Sequence, residues 1–455
     1  MLASVFQDKK FFSTMLRLAA PIMLQNMVFS SLGLVDGLMI GQLGEDAVAA
    51  VGVANQVFFL MQLLLFGISS GTAIFIAQYW GQNDLKRIQS VLGLGLLMSV
   101  LGSLIFSAGA IAAPLKVLGI YSTDTALLAQ GESYLRVVAI SYVFTAITFT
   151  FSSALRSTEN VRLPMAISLI TLSINTLLNY CLILGNFGFP ALGVKGAAIA
   201  TVASRTFETM LLLIITYKQK LPVAARISSF LNYKILPMGN FFKTLLPVIA
   251  TEIAWSFGIA TYNVVYARIG TESIAAINIA ATLDRLIFVI FFGLGNACSI
   301  MLGNQIGSGK NDIAKDYGKK FLIIGASGAA IFGLLMLTLA NPLLSLYKVS
   351  TTTIEYTFKI LIAMAISLPI RSLNFMLLIG ILRSGGDTRF AFIADAGMVW
   401  VVGVPLAFFG AFVLELPIYW VYPLVLIQEI VTVSLGLYRF LSGKWIHSLT
   451  VPDKA

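Results

Sequence analysis

The sequence predicts an all-α membrane protein: twelve transmembrane helices in two six-helix lobes related by pseudo-two-fold symmetry. Three observations predict it: the composition, the number of long apolar stretches, and an internal repeat. Of the 455 residues, 58% are apolar and only 11% are Asp, Glu, Lys or Arg, against about 25% charged in a typical soluble domain. The mean hydropathy is +0.90. These values exclude a soluble globular protein, a disordered chain and a secreted disulfide scaffold.

A spanning helix needs roughly 20 predominantly apolar residues. Stretches of that kind run over 13–42, 47–80, 88–113, 132–155, 164–185, 192–217, 242–268, 274–304, 318–341, 355–382, 390–412 and 418–441. An even number of spans places both termini on one side. Lys116, Lys195, Arg268 and Lys348 fall in loops on the opposite side, and Arg136, Arg205, Arg285, Lys359 and Arg371 fall inside spans. The rest of the 30 Lys and Arg residues lie on the side of the termini. Cytoplasmic loops are the ones enriched in Lys and Arg, so both termini are expected in the cytoplasm. The same asymmetry accounts for the net charge of +10 without a nucleic-acid partner.

The two halves resemble each other at a nearly constant offset. Pro21 aligns with Pro247, Gly44 with Gly270, Ala49-Ala50 with Ala275-Ala276, Phe66-Gly67 with Phe292-Gly293 and Gly81 with Gly307, all 226 residues apart. Leu155-Arg156-Ser157 and Arg162 align with Leu382-Arg383-Ser384 and Arg389 at 227. Six spans per half keep both halves in the same orientation, so the repeat is parallel, about an axis along the membrane normal. The expected organisation is an N-lobe over 1–217, a cytoplasmic linker over 218–241 that carries Pro222 and Pro237, and a C-lobe over 242–455. Two such lobes around a cleft suit an alternating-access transporter.

Pro21 with Asp36 and the run Ile40-Gly41-Gln42-Leu43-Gly44, together with the paired Leu-Arg-Ser loops, the second reading Leu382-Arg383-Ser384-Gly385-Gly386-Asp387-Thr388-Arg389, resemble the multidrug and toxic compound extrusion (MATE) transporters. The resemblance covers about residues 13 to 441. It implies an antiporter that exports amphipathic, often cationic drugs or toxic metabolites, driven by inward flow of sodium ions or protons. It also implies a prokaryotic inner membrane, a monomer, a small-molecule substrate, no nucleic acid and no cofactor beyond the coupling ion.

Ionisable groups inside the bilayer are costly, roughly 2.5–3.5 kcal/mol at a helix centre, so each asks for a partner, a cavity or a task. Asp36 is the leading candidate for cation coupling. It is flanked by Leu34-Val35 and Leu38-Met39-Ile40, and the repeat places Tyr262 at the equivalent position. The carboxylate is therefore a specialisation of the first half. Asn175 and Asn179 stand at i and i+4 on the fifth span and share a face. Beside a carboxylate, their amide oxygens suit sodium; the same amides equally suit a protonated Asp36. Thr201 on the sixth span adds a hydroxyl. The resemblance implies an N-lobe cation site at these four positions.

In the second half, Glu252, Asp284 and Asp395 are candidates for substrate contact or C-lobe coupling, with mutual charge pairing as the competing reading. That pairing would draw in Lys359 and Arg371. Glu429 lies on the twelfth span. Arg205 and Glu208, at i and i+3, are expected to pair locally. Arg156, Arg162, Arg383, Asp387 and Arg389 read as helix-end and topology residues. Pro21 permits a bend in the first span, and the resemblance associates that bend with emptying of the N-lobe site. Aromatic and methionine side chains lining a cleft would suit flat cationic molecules.

Several chemistries lack their machinery. Cys181 and Cys298 sit in apolar runs and His447 is the lone histidine, so no clustered metal site is expected. The first apolar stretch is too long for the core of a cleavable signal peptide. No G-x-x-x-x-G-K-[ST], H-E-x-x-H or G-x-S-x-G is present, and an enzyme is not expected. The rival reading is a flippase for a lipid-linked oligosaccharide. It would draw on Arg136, Arg205, Arg285, Lys359 and Arg371 to hold a pyrophosphate.

Overall fold

The computed structural model describes residues 8–345 and 347–450. Among the described residues, eleven single helices are long and apolar enough to cross a bilayer, and a bent pair makes the twelfth. They are α1 (Lys9–Gly41), α2 (Glu45–Gly81), α3 (Leu85–Ala112), α4 (Thr125–Val138 with Ser141–Ser157), α5 (Arg162–Leu184), α6 (Gly193–Lys218), α7 (Met238–Ile269), α8 (Thr271–Gly307), α9 (Asn311–Leu344), α10 (Thr351–Leu382), α11 (Thr388–Val413) and α12 (Ile418–Leu441). The protein is a multi-pass membrane protein. The fourth span differs from the continuous 132–155 helix read from the sequence: it begins earlier and bends by 51° between Val138 and Ser141.

Local chemistry fixes the helix starts. Asp8 accepts a hydrogen bond from the Phe11 amide at 3.0 Å, Asp84 from Arg87 at 3.1 Å, and Asp124 from Ala126 at 2.9 Å. Each satisfies an amide that the first turn leaves without a carbonyl. The starts of α2 and α8 show the repeat in the backbone. Gly44 and Gly270 precede them with φ of 109° and 156°, conformations that glycine adopts readily. Acidic residues follow in the first turn of both, Glu45 and Asp46 in one and Glu272 in the other, where they complement the helix dipole.

The chain forms two compact units. One is Leu24–Met238; the other joins the described residues up to Met23 to those from Gly239 onward. The boundary therefore falls inside α1, two residues after Pro21. In the first unit, α2, α4 and α6 bury Val51, Met61, Leu65, Tyr134, Tyr142 and Ala198. The segment after α6 is tied to α3 of the same unit: Ser90 donates to the Ser229 carbonyl at 3.1 Å, and a Cβ on Gly93 would come within 2.2 Å of the Phe230 carbonyl oxygen.

In the second unit, Tyr262, Leu283, Met336, Leu361, Val399 and Val421 share a core. The start of α1 belongs here, with Phe11 edge-on to Phe321 at 5.2 Å. The last turns of α10 (Met376–Leu382) and three segments of α11 (Ile393–Gly397, Val399–Gly403 and Phe409–Val413) are π-helical. Such widened turns are rare and concentrate at functional sites. The corresponding span of the first unit, α5, is regular α-helix throughout.

Candidate cation site and buried charge clusters

Asp36 lies in α1 within the Leu24–Met238 unit, half-buried. Its neighbours come from a tight hairpin of α5 and α6. Gly185 ends α5 in the left-handed region, φ 76°, and the Leu192 amide donates to the Leu182 carbonyl at 2.9 Å. Gly196 of α6 lies so close to α5 that a Cβ there would come within 2.3 Å of the Leu182 oxygen. Backbones this close let short polar side chains bridge the two helices.

The bridging groups form a continuous chain. Asn179 Nδ2 donates to Asp36 Oδ1 at 2.5 Å and to Asn175 Oδ1 at 3.1 Å. Asn175 Nδ2 donates in turn to Ser204 Oγ at 3.2 Å, and Ser204 Oγ to the Thr201 carbonyl at 3.0 Å. Both asparagines are fully buried. The Asn179 amide nitrogen donates to both Asp36 and Asn175, and its oxygen is buried with no hydrogen-bond donor among the described residues. A carboxylate beside a bare amide oxygen is a set of hard oxygen acceptors of the kind that hold hard cations.

The structure thus brings Asp36, Asn175 and Asn179 together. It places Thr201 on the same helix as Ser204, but the Thr201 hydroxyl donates to its own Ala197 carbonyl at 3.0 Å. Ser204 is the member that sequence reasoning missed. Its signal was its spacing, three residues after Thr201 on the same face of α6.

Below this chain, α6 carries a buried ion pair, Arg205 Nη1 to Glu208 Oε2 at 2.9 Å, as its spacing predicts. Ser168 Oγ donates to Glu208 Oε1 at 3.5 Å and accepts from Gln25 Nε2 at 3.2 Å. Gln25 Oε1 accepts from Arg156 Nη1 at 3.1 Å. Arg156 therefore has a specific tie to α1 and is more than a topology residue.

The acids of the other unit divide into two groups. Asp284 forms a two-pronged pair with Arg371, 2.7 and 2.9 Å, with the guanidinium 5.1 Å from the centre of the Phe288 ring. Glu252 Oε1 pairs with Arg383 Nη1 at 2.8 Å. Arg383 is 2% exposed, which corrects its reading as a helix-end residue: a charge buried that deeply needs a partner, and Glu252 supplies it. Asp395, in a π-helical turn of α11, makes no hydrogen bond or ion pair with any described residue. Glu429 accepts from Asn374 and from Gln428 at 3.1 Å. Arg371 pairs with Asp284 as the charge-pairing reading has it, but Asp395 and Lys359 do not join them. Lys359 pairs instead with Glu355, one turn away at 2.6 Å and exposed.

The pairing also bears on a pyrophosphate site. Arg136 pairs with Glu132 at 2.8 Å, and Arg205, Lys359 and Arg371 pair as above. Four of the five membrane cations such a site would use are already neutralised by carboxylates.

Comparison with known proteins agrees with this architecture. Residues 21–181 and 247–409 match the family model MatE, one match in each half, starting at the aligned prolines Pro21 and Pro247. The chain is 25% identical over 445 residues to "Probable multidrug resistance protein NorM" of Thermotoga maritima, covering 95% of this chain and 92% of that protein. It is 27% identical over 407 residues to "Multidrug resistance protein NorM" of Vibrio vulnificus, covering 88% of each. Its fold matches the crystal structure of the Vibrio cholerae MATE transporter VcmN in the bent form, with a TM-score of 0.85 and 17% identity over 96% of this chain and 99% of that one.

Proposed function

The chain belongs to the MatE family, and from that premise we propose that it is a cation-coupled antiporter exporting amphipathic, cationic drugs or toxic metabolites by alternating access. It is a transporter and not an enzyme. The observation that carries the coupling reading is the fully buried Asn179, whose oxygen has no hydrogen-bond donor among the described residues and lies beside the half-buried Asp36 carboxylate. A sodium ion would be held by Asp36 and that oxygen. A proton would reside on the Asp36 carboxyl within the same amide network. Occupancy favours one conformation over another, and any difference in drug affinity between the two makes the coupling reciprocal.

Pro21 removes one main-chain hydrogen bond from α1 and gives it a place to bend. The termini lie in the cytoplasm of a prokaryotic cell, on the lysine and arginine asymmetry of the loops, and the protein works as a monomer in the inner membrane. Of the three C-lobe candidates Glu252, Asp284 and Asp395, Asp395 is the one that no arginine holds, and it is the acid we assign to a cationic substrate.

The test is dye efflux from proteoliposomes with a sodium gradient and a proton gradient imposed separately. Efflux under one gradient and its loss in Asp36→Asn is the expected result. Full efflux by Asp36→Asn would remove the carboxylate from the mechanism, and no efflux under either gradient would overturn the antiporter reading.

A further inference from the structure

The Arg205–Glu208 pair is not explained by the stability of its helix. Both side chains are almost fully buried, 9% and 5% exposed. A buried ion pair is commonly no more stabilising than an apolar pair of similar volume. Its order is also the weaker one, because acid before base along a helix complements the dipole and base before acid does not. Something other than helix stability therefore accounts for a charge pair here.

Its surroundings supply a second carboxylate. Arg205 follows Ser204, the end of the hydrogen-bonded chain that leads through Asn175 and Asn179 to Asp36. The guanidinium rests 5.3 Å from the centre of the Phe29 ring, seven residues before Asp36 on α1, or about 10 Å along the helix at 1.5 Å per residue. The Cα–Cβ bond of a helical residue tilts toward the helix N-terminus, here toward Thr201 and the Asp36 site, yet the guanidinium is turned the other way, onto Glu208. One flexible cation is thus paired with Glu208 on its C-terminal side while its stem leaves the helix toward the side that carries the Asp36 network. Glu208 has further support behind it: the run Ser168, Gln25 and Arg156 ends in a second cation whose hydrogen-bond acceptor, Gln25, is uncharged.

We propose that Arg205 is a tethered counter-ion shared between Glu208 and Asp36. It stays on Glu208 while a coupling cation occupies Asp36, and it turns to Asp36 when that cation leaves. The proposal rests on the reading of Asp36 as the cation site. It means that the carboxylate is never left bare in the membrane, where an unpaired charge is costly, and that the transported cation must displace an internal competitor. Arg205 is then a positioning residue that sets how tightly the cation is held.

The test is infrared difference spectroscopy of the Asp36 carboxyl in the full protein reconstituted in lipid. The band is assigned by its loss in Asp36→Asn and titrated with protons in sodium-free buffer and with sodium chloride at alkaline pH. Arg205→Met is expected to tighten cation binding on the order of tenfold by removing the competitor. Loss of a merely structural residue would weaken it. Glu208→Gln is expected to weaken binding, because it frees Arg205 to compete. In the double variant, Glu208→Gln is expected to add less than about twofold, since Glu208 acts only through Arg205. Arg205→Lys, which keeps the charge, restores near-native affinity.

Unchanged or weaker binding in folded Arg205→Met, or additive effects in the double variant, would overturn the proposal. Should Arg205→Met not fold, Glu208→Gln with unchanged affinity would overturn it equally. No cation-dependent band at Asp36 in the native protein would overturn the reading of Asp36 as well, which separates the two failures.

Discussion

The two halves carry the same arginine at the same place in the repeat and surround it differently. Arg156 reaches back to the first helix of its half and meets the neutral Gln25. Arg383 does the same and meets the carboxylate of Glu252. The contact is what the duplicated fold keeps; the charge of the partner is what each half has been free to change. The same holds on the opposite side of the repeat. Asp36 enters an amide network in the first half, while its counterpart Tyr262 points its hydroxyl at the Val399 carbonyl, 3.4 Å away. Features shared by the halves read as architecture, and features that break the repeat read as function.

The largest expected effect tests that contrast directly. Asp36→Asn should reduce gradient-driven dye efflux to the background of empty vesicles, whereas Tyr262→Phe should lower it by no more than about tenfold, since one long hydrogen bond to a carbonyl is worth only about 0.5–1.5 kcal/mol. Equal losses from both would break the comparison. Next comes stability. Arg383→Met strands a buried Glu252 and should cost about 3–5 kcal/mol, while Arg156→Met leaves only an uncharged amide and should cost about 1.5–3 kcal/mol. Thermal unfolding in detergent would rank them, and Glu252→Gln, which recreates the pairing of the first half, should fall nearer the smaller value.

A third pair probes close packing. Gly196→Ala would place a methyl 2.3 Å from the Leu182 oxygen, and Gly403→Ala one 1.9 Å from the Tyr262 hydroxyl. Each should cost about 1–3 kcal/mol, but only Gly196→Ala should also weaken cation binding, because it spreads the α5–α6 hairpin that carries the asparagines.

The smallest effect lies at the start of α1. Asp8 pairs with Lys320 at 2.7 Å, and that contact holds its carboxyl below the usual carboxylate range. A lowered value stabilises the fold above the ordinary pKa and ceases to do so as pH falls through the lowered one. Asp8→Asn should therefore cost less than about 1 kcal/mol near neutrality, and the difference from the native protein should vanish in acid and shrink in high salt. Melting curves across pH would show it.

Most of the fold was legible in the residues because apolar run length and the repeat are one-dimensional signals. The bend in α4 was not, since Ala139-Ile140 carries no proline or glycine to mark it. The π-helical turns of α11 were also hidden, because they change how backbone groups pair and leave no period in the side chains. Within the site, Asp36 stood out as a lone carboxylate in an apolar run, and Asn175 with Asn179 by their spacing. Ser204 looked ordinary until α5 and α6 came together at Gly196. Arg383 was misread for a related reason. Its sequence position beside a loop resembles that of any cytoplasmic arginine, and only packing reveals how deeply it is buried.

The segment that follows α12 bears on the order in which the fold is completed. Past α12, Ile446 forms an antiparallel bridge with Gly386, the His447 amide donates to the Gly385 carbonyl at 2.7 Å, and Trp445, fully buried, lies where a Cβ on Gly385 would stand, 2.4 Å from its ring. The loop between α10 and α11 is thus closed by residues that follow α12 in the chain. It can be finished only after α12 has been synthesised, and a chain cut before Trp445 would keep its spans yet leave that loop without its cover.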